Sequence, residues 1–246
     1  MMIDTHCHLC ESDYDNLKEI INHMGNNIMI CSGADNENNF STIKLINEYD
    51  NIYGTIGFHP DEVDNYDLKF IEDNINNPKI VGIGEIGLDY YHDSDKELQK
   101  ELFIKQLDLA RLYNKPVVIH SRDAAEDTFN ILENYKDLKI VLHCYGYSLD
   151  MAKKFLKLGC KFGIGGVLTF KNGKKLVEVV ENIGIENLLL ETDSPYLTPE
   201  PYRGSKNEPY NITFVAAKIA ELKNMKIDEV FEITTKNACE IYNIKI

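Results

Sequence analysis

Short apolar runs recur along the chain at intervals of roughly 20 to 30 residues, separated by longer segments in which apolar residues have helical spacing. This alternation is typical of repeated βα units around a parallel sheet. The runs are nearly continuous in apolar character, as strands buried on both faces require. Eight of them are present: Met2–His8, Asn27–Gly33, Ile52–Phe58, Ile80–Glu85, Pro116–His120, Ile140–His143, Lys161–Gly165 and Leu188–Asp193.

The number of these runs and the chain length together predict the fold. A barrel of eight alternating strands and helices takes about 250 residues, and this chain has 246, of which 43% are hydrophobic. No Gly/Ser-rich or Pro-rich linker divides it. The sequence therefore predicts an α/β fold in one domain over residues 1–246, a single (β/α)8 TIM barrel with parallel strands.

The segments between the runs behave as helices. The clearest extends from about Asp95 to Asn114, and Ser94 and Glu97 have the spacing of a capping box at its start. Two more helices, about Tyr210–Asn224 and Asp228–Tyr242, close the chain. They would complete the outer ring of helices after the eighth strand.

Between the last strand and these two helices, residues Asp193–Pro209 interrupt the alternation. Four of the seven prolines and one glycine fall in this segment. Proline fixes its own φ and has no backbone N–H to donate, so the segment cannot continue a helix or a central strand. We expect a stiff loop across the barrel mouth.

The acidic composition limits what the protein can bind. A formal net charge of −14 opposes non-specific binding to nucleic acid, which depends on Lys and Arg, so any polyanion must be attracted locally. No apolar run approaches the ~20 residues that a bilayer requires, and the start lacks a basic and apolar leader. The six cysteines do not form the dense framework of a small secreted domain. We expect a cytoplasmic protein with reduced thiols and no membrane association.

Polar residues capable of binding a metal stand at the carboxyl ends of several predicted strands. In a barrel these ends meet at one mouth, so residues far apart in sequence would converge there. A random scatter would place them on helices and loops as often. The residues are His6, His8, His59, Glu85, His120, His143 and Asp193.

The types and spacing of these residues favour a metal site. His6 and His8 are two positions apart on a strand, so both imidazoles point the same way and can share one ion. Alone, such a pair would more often be two exposed polar residues on an edge strand, but His120, His143 and Asp193 at the same level favour the metal site. Glu85 stands between glycines, and its two oxygens could bridge two cations. Without the cations, Glu85 would be a buried unpaired charge, which is costly. Mixed imidazole and carboxylate ligands suit Zn²⁺, Mn²⁺, Co²⁺ or similar ions.

Seven ordered segments closely resemble the TatD family of metal-dependent hydrolases, often described as TatD-type deoxyribonucleases, among the amidohydrolase-like barrels. The resemblance extends nearly end to end. The segments are Asp4-Thr5-His6-Cys7-His8, Gly57-Phe58-His59-Pro60, Gly84-Glu85-Ile86-Gly87-Leu88-Asp89, His120-Ser121-Arg122-Asp123-Ala124, His143-Cys144, Glu191-Thr192-Asp193-Ser194-Pro195 and Arg203-Gly204-Ser205-Lys206-Asn207-Glu208-Pro209.

The resemblance implies roles for the shared residues and two divalent cations per subunit, with Mg²⁺, Mn²⁺, Zn²⁺ and Co²⁺ as candidates. It implies that one ion is held by His6, His8 and Asp193 and the other by His120 and His143, with Glu85 bridging them. Glu85 and Asp193 are then the expected catalytic residues. The expected substrate-binding residues are His59, Arg122, Arg203 and Asn207, and the two guanidinium groups suit phosphate oxygens.

Three functions follow from these expectations. The first is a metal-dependent deoxyribonuclease that binds DNA locally at the mouth and trims its ends, working as a monomer or weak oligomer. The second keeps the metals and hydrolyses another ester, such as a D-aminoacyl-tRNA. The third is a scaffold without catalysis, which predicts that at least one ligand is missing, and none is.

Overall fold

The computed structural model describes residues 1–246 and confirms the predicted (β/α)8 barrel. Eight parallel strands pair in sequence order, each with the next. Every predicted run overlaps one strand, although β4 and β5 extend four and two residues further than expected. The strands are β1 Ile3–Cys7, β2 Ile28–Ser32, β3 Ile52–Ile56, β4 Ile80–Asp89, β5 Val117–Arg122, β6 Ile140–Leu142, β7 Lys161–Ile164 and β8 Leu188–Leu190.

Nine α-helices surround the strands. At the start of α4 the predicted cap is wrong by one residue, because Asp95 and not Ser94 accepts hydrogen bonds from the backbone N–H groups of Glu97 and Leu98. Asn114 ends this helix in the left-handed conformation. The helices are α1 Leu17–His23, α2 Asn36–Glu48, α3 Leu68–Asn74, α4 Lys96–Tyr113, α5 Ala125–Leu132, α6 Leu149–Leu156, α7 Lys174–Asn182, α8 Ile212–Lys223 and α9 Ile227–Tyr242. No helix is long and apolar enough to cross a membrane.

The barrel closes between β1 and β8 without a regular ladder, and we call this junction the seam. Asp4, fully buried, accepts hydrogen bonds from the backbone N–H of Thr192 at 3.0 Å and from its hydroxyl at 2.6 Å. Above this contact the N–H of Asp193 donates to the carbonyl of His6 at 2.9 Å, and that of His8 to the carbonyl of Ser194 at 2.7 Å. Side chains and short bridges therefore align the first strand with the last.

Two separate apolar clusters fill the molecule. One, of 52 buried residues, packs the outer faces of the strands against the helices. Because successive side chains alternate across a strand, the second cluster, of 11 residues, occupies the other face, inside the barrel. Its members are Ile3, Ile28, Ile30, Val81, Val118, Val141 and Leu189 on the strands, with Ala238, Ile241, Tyr242 and Ile244 from α9 and the residues after it. This lower layer closes the amino-terminal end and leaves the other end open.

Candidate metal centre

All six residues predicted to bind metal lie together at the open end of the barrel. His6 and His8 come from β1, Glu85 from β4 and His120 from β5. His143 directly follows β6, and Asp193 follows β8 by three residues. Asp193 has a φ of 55°, a conformation that a non-glycine residue adopts at some cost and that is common at functional sites.

Four ligand atoms surround one point, and we call them the four-ligand set. They are the Nε2 atoms of His6 and His8, Oε2 of Glu85 and Oδ1 of Asp193. The two nitrogens are 3.2 Å apart, and each lies 3.4 to 3.6 Å from both oxygens. A tetrahedral ion with bonds near 2.0–2.1 Å has ligand atoms about 3.3 Å apart. The two imidazoles and the carboxylate oxygens beside them therefore have the chemistry and the nitrogen–oxygen spacing of ligands to a divalent cation.

The other oxygen of Glu85 belongs to a second group, the three-ligand set. Its Oε1 is 2.7 Å from Nδ1 of His120 and 2.8 Å from Nε2 of His143, and these two nitrogens are 3.4 Å apart. Three protein ligands leave coordination positions open, as in catalytic rather than structural metal sites. Glu85 is thus placed between two groups of ligands.

The ionisation of these groups suits a cation. Burial alone would raise the pKa of the Glu85 carboxyl, but the charge of His143 and hydrogen bonds from His120, His143 and His6 lower it well below its usual value. Burial likewise opposes ionisation of Asp193, yet the hydrogen bond with His8 and the neighbouring histidines lower its pKa. Both carboxylates therefore remain negative at neutral pH.

Two of the four histidines in the two sets have a hydrogen-bond partner for the ring nitrogen that faces away from the other ligands, and a third has a carboxylate nearby. Nδ1–H of His8 donates to the carbonyl of Ser32 at 3.0 Å, and Nε2–H of His120 to Oδ2 of Asp89 at 3.0 Å. Nδ1 of His143 is 3.7 Å from Oε1 of Glu191. These contacts leave the inward nitrogens with free lone pairs.

Sequence reasoning missed the roles of Asp89 and Glu191. Both lie in the segments that resemble the TatD family, Gly-Leu-Asp89 and Glu191-Thr-Asp, which was the only sequence signal for them. His92, absent from the predicted site, also lines the mouth, with Nδ1 3.1 Å from Oδ2 of Asp89. The site therefore extends beyond the predicted ligands.

Two of the four predicted substrate-binding residues line the mouth. His59 is held with Nδ1 3.4 Å from a carboxylate oxygen of Asp61, and its Nε2 lies 3.9 Å from Oε1 of Glu85. Arg122 stacks its guanidinium 3.7 Å above the ring of Tyr91 and makes no ion pair. Their donors are available to a molecule that enters the mouth.

The structure does not bring Arg203 or Asn207 into the mouth. Arg203 stacks over Phe170 at 4.0 Å and lies outside the cavity lining. Asn207 is fully buried, and its side-chain N–H groups donate to the carbonyls of Thr192 and Tyr196 at 3.0 and 2.7 Å. Its placement favours a role in holding the proline-rich loop, and substrate contact by either residue remains a prediction.

The mouth is a cavity of about 1250 Å³, and the charged residues that line it are mainly acidic. It is large enough for a few linked nucleotides or a small ester. Only two cationic side chains, Arg122 and Lys175, face it. The carboxylates around it are Asp13, Asp35, Glu37, Glu85, Asp89, Asp123 and Asp193.

Comparisons with known proteins agree with this geometry. A family model described as TatD related DNase matches residues 3–243. The metal-dependent hydrolase YabD of Bacillus subtilis is 42% identical over 254 residues, which cover 99% of this chain and 100% of that protein. The structure of YJJV, a TatD homologue from Escherichia coli, aligns with a TM-score of 0.89 at 28% identity, over 99% of this chain and 98% of that one. A TatD family hydrolase from Entamoeba histolytica aligns with a TM-score of 0.85 at 26% identity, over 98% and 97%.

Proposed function

Because the chain belongs to the TatD related DNase family and is a metal-dependent hydrolase, we propose that it holds two divalent cations and cleaves phosphodiester bonds at the ends of DNA strands. We further propose that DNA is bound only at the mouth, in the cytoplasm, by a monomer or weak oligomer. The family and the general chemistry are the starting point. The number of ions and the bond cleaved are our inference.

One observation carries the two-ion proposal. The oxygens of Glu85 divide between the ligand sets, with Oε2 facing His6 and His8 and Oε1 facing His120 and His143. A carboxylate in this position would hold two cations side by side. Such a pair lowers the pKa of bound water and stabilises the negative charge that develops as a phosphodiester is hydrolysed.

The chain's own residues supply the remaining requirements. Asp193, ionised at the edge of the four-ligand set, would orient a water and accept its proton. Arg122 offers a charge-assisted hydrogen bond to a phosphate oxygen from the rim. His59 can donate from Nε2 beside the ligands, while its other nitrogen faces Asp61.

The surroundings of the site favour a strand end over an internal bond. The ligands lie in a cavity closed below by the apolar layer, so a chain must enter through the open end. The acidic rim and net charge of −14 supply little attraction for a long polyanion. A terminal nucleotide held by the cations and Arg122 would fit a cavity that is open at one end only. It would also need little attraction from the acidic rim.

The same acidic lining supports a second candidate, hydrolysis of a less anionic ester such as a D-aminoacyl-tRNA. Asp35 and Glu37 at the rim would attract a substrate ammonium group, which DNA lacks. This reaction needs the same ligands and the same water. Only the bond and the group recognised by the rim differ.

A hydrolysis panel tests the proposal. Metal-free protein is loaded in turn with Mg²⁺, Mn²⁺, Zn²⁺ or Co²⁺ and offered single- and double-stranded DNA, RNA, D-aminoacyl-tRNA, a small phosphodiester and a lactone. We expect DNA to be shortened stepwise from an end with at least one metal. The His6→Ala/His8→Ala variant, measured by elemental analysis, should lose one bound ion. Turnover of D-aminoacyl-tRNA alone would replace the nuclease with the second candidate.

A further inference from the structure

We propose that Asp89 and Glu191 are positioning residues that strengthen one metal position only, the three-ligand set of Glu85, His120 and His143. The proposal rests on the two-cation function above. It goes beyond that function by dividing the site into two unequal positions and by naming the residues responsible for the difference. Neither residue is one of the six predicted ligands.

Asp89 is anchored so that its carboxylate can orient His120. It is 1% exposed, and its Oδ1 accepts the backbone N–H groups of Tyr91 and His92 at 2.9 and 3.3 Å. The side-chain amide of Gln99 accepts the backbone N–H of Asp89 and donates to the backbone carbonyl of Asp89. With Oδ2 3.0 Å from Nε2 of His120, Asp89 fixes the ring so that Nδ1 faces Glu85.

Glu191 has the corresponding relation to His143. It is fully buried, and its Oε1 accepts the backbone N–H of Cys144 at 2.5 Å and lies 3.7 Å from Nδ1 of His143. Neither its Oε2 nor that Nδ1 has a hydrogen-bond partner, so Glu191 acts on His143 as a neighbouring charge. A buried carboxylate without a full set of partners is costly, so its presence beneath a histidine of the site indicates a function.

Gly163 shows that the space for Glu191 is specific. A Cβ atom at this position on β7 would lie 1.9 Å from Oε2 of Glu191. Only a residue without a side chain allows the carboxylate to stand beneath His143. Gly163→Ala therefore offers a way to displace Glu191 without changing a charge.

The four-ligand set has no such carboxylates behind its histidines. His8 is oriented by the carbonyl of Ser32, and Nδ1 of His6 has no partner. Carboxylates hydrogen-bonded to metal-binding histidines typically change metal affinity by about 10- to 100-fold. Loss of Asp89 or Glu191 should thus lower the metal affinity of the three-ligand set by about this factor. The affinity of the four-ligand set should stay nearly unchanged.

The test isolates each position and measures Co²⁺ binding by calorimetry and visible absorption. His6→Ala/His8→Ala leaves the three-ligand set, and His120→Ala/His143→Ala leaves the four-ligand set. Adding Asp89→Asn should weaken Co²⁺ binding by about 10- to 100-fold in His6→Ala/His8→Ala, where only the three-ligand set remains. In His120→Ala/His143→Ala the same change should weaken Co²⁺ binding by less than about threefold. Thermal unfolding without metal verifies that each protein is folded.

Further variants complete the comparison. Glu191→Gln and Gly163→Ala should both repeat the selective loss, so the inference survives if one of them fails to fold. Asp123→Asn is the matched control, because it removes a carboxylate from the mouth that contacts no histidine of the two sets. Equal weakening in both backgrounds, or none in either, overturns the positioning role. Uptake of a single ion by the wild type would instead overturn the two-cation function, and the Asp89→Asn result would still decide the role of Asp89.

Discussion

The two halves of the barrel interior are built from the same strands and have opposite character. The lower half is dry and apolar, with Ile30 and Leu189 among its fully buried residues. The upper half holds Glu85, Asp193 and four histidines, all buried or half-buried, within a few ångströms of one another. Burial of apolar surface stabilises a fold, whereas burial of charge costs stability unless it is compensated. The lower half thus supplies the stability that lets the upper half carry a charged site.

The charged upper half should be most sensitive to Glu85→Gln. The change keeps the size of the side chain and removes the charge shared by the two ligand sets. We expect turnover to fall by about 10²- to 10³-fold or more, with the thermal unfolding transition retained. Steady-state kinetics and elemental analysis measure both effects. Glu97→Gln on the exposed face of α4 is the control and should change turnover by less than about twofold. Normal turnover with normal metal content would leave Glu85 without a bridging role.

The opposite result is expected in the lower half. Ile30→Ala should reduce the free energy of unfolding by about 2–5 kcal/mol, because a fully buried side chain is replaced by a cavity. Turnover per folded molecule should hardly change. Urea unfolding followed by circular dichroism gives the first quantity, with the exposed Phe40→Ala as control. Loss of bound metal from fully folded Ile30→Ala protein would show that the halves are not independent.

A smaller effect is expected at the rim, above both halves. Arg122→Ala should weaken the reaction of a phosphodiester by about 1.5–3 kcal/mol, or roughly 10- to 150-fold in kcat/KM, through loss of a charge-assisted hydrogen bond. A neutral ester should be little affected. Arg203→Ala, outside the cavity, should have the weaker effect of the two. Equal losses on charged and neutral substrates would make Arg122 a structural residue.

The smallest effect concerns pH and should be confined to the upper half. Despite burial, Asp193 and Glu85 raise the pKa of His8, and Glu85 and Glu191 raise that of His143. These raised values favour protonated histidines in the metal-free fold as pH falls. A metal must displace those protons, so its affinity should decrease as pH falls through a range above 6.5, about tenfold per unit for each proton displaced. Competition with a chelator at several pH values measures this slope, and a constant affinity contradicts it.

The strands and the predicted ligands were accessible from sequence for one physical reason. Strands buried on both faces are continuous apolar runs, and a polar residue at the end of such a run is conspicuous. Asp89 and Glu191 could not be assigned in the same way, because their histidines lie 31 and 48 positions away along the chain. Only the folded barrel brings each pair together: Asp89 and His120 lie on the neighbouring strands β4 and β5, whereas Glu191, after β8, reaches His143, after β6, across β7.

Two further details show where sequence signals become ambiguous. Ser94 and Asp95 are adjacent and both can cap a helix, so the choice between them depends on the path of the preceding loop. Arg203 and Asn207 belong to a segment typical of the family, yet a motif does not tell whether a side chain faces the cavity or supports the loop. Asn207 is fully buried in the fold.

The seam has a consequence for the protein during its synthesis. The four-ligand set combines His6 and His8, from the first strand, with Asp193, which follows the last. A nascent chain can pair its strands in order as they emerge from the ribosome, since each strand's neighbour in the sheet is its neighbour in sequence. His6 and His8 nevertheless cannot be joined by Asp193 until translation has passed residue 193. We therefore expect the four-ligand set to stay incomplete during synthesis and to form only when the last strand joins the first.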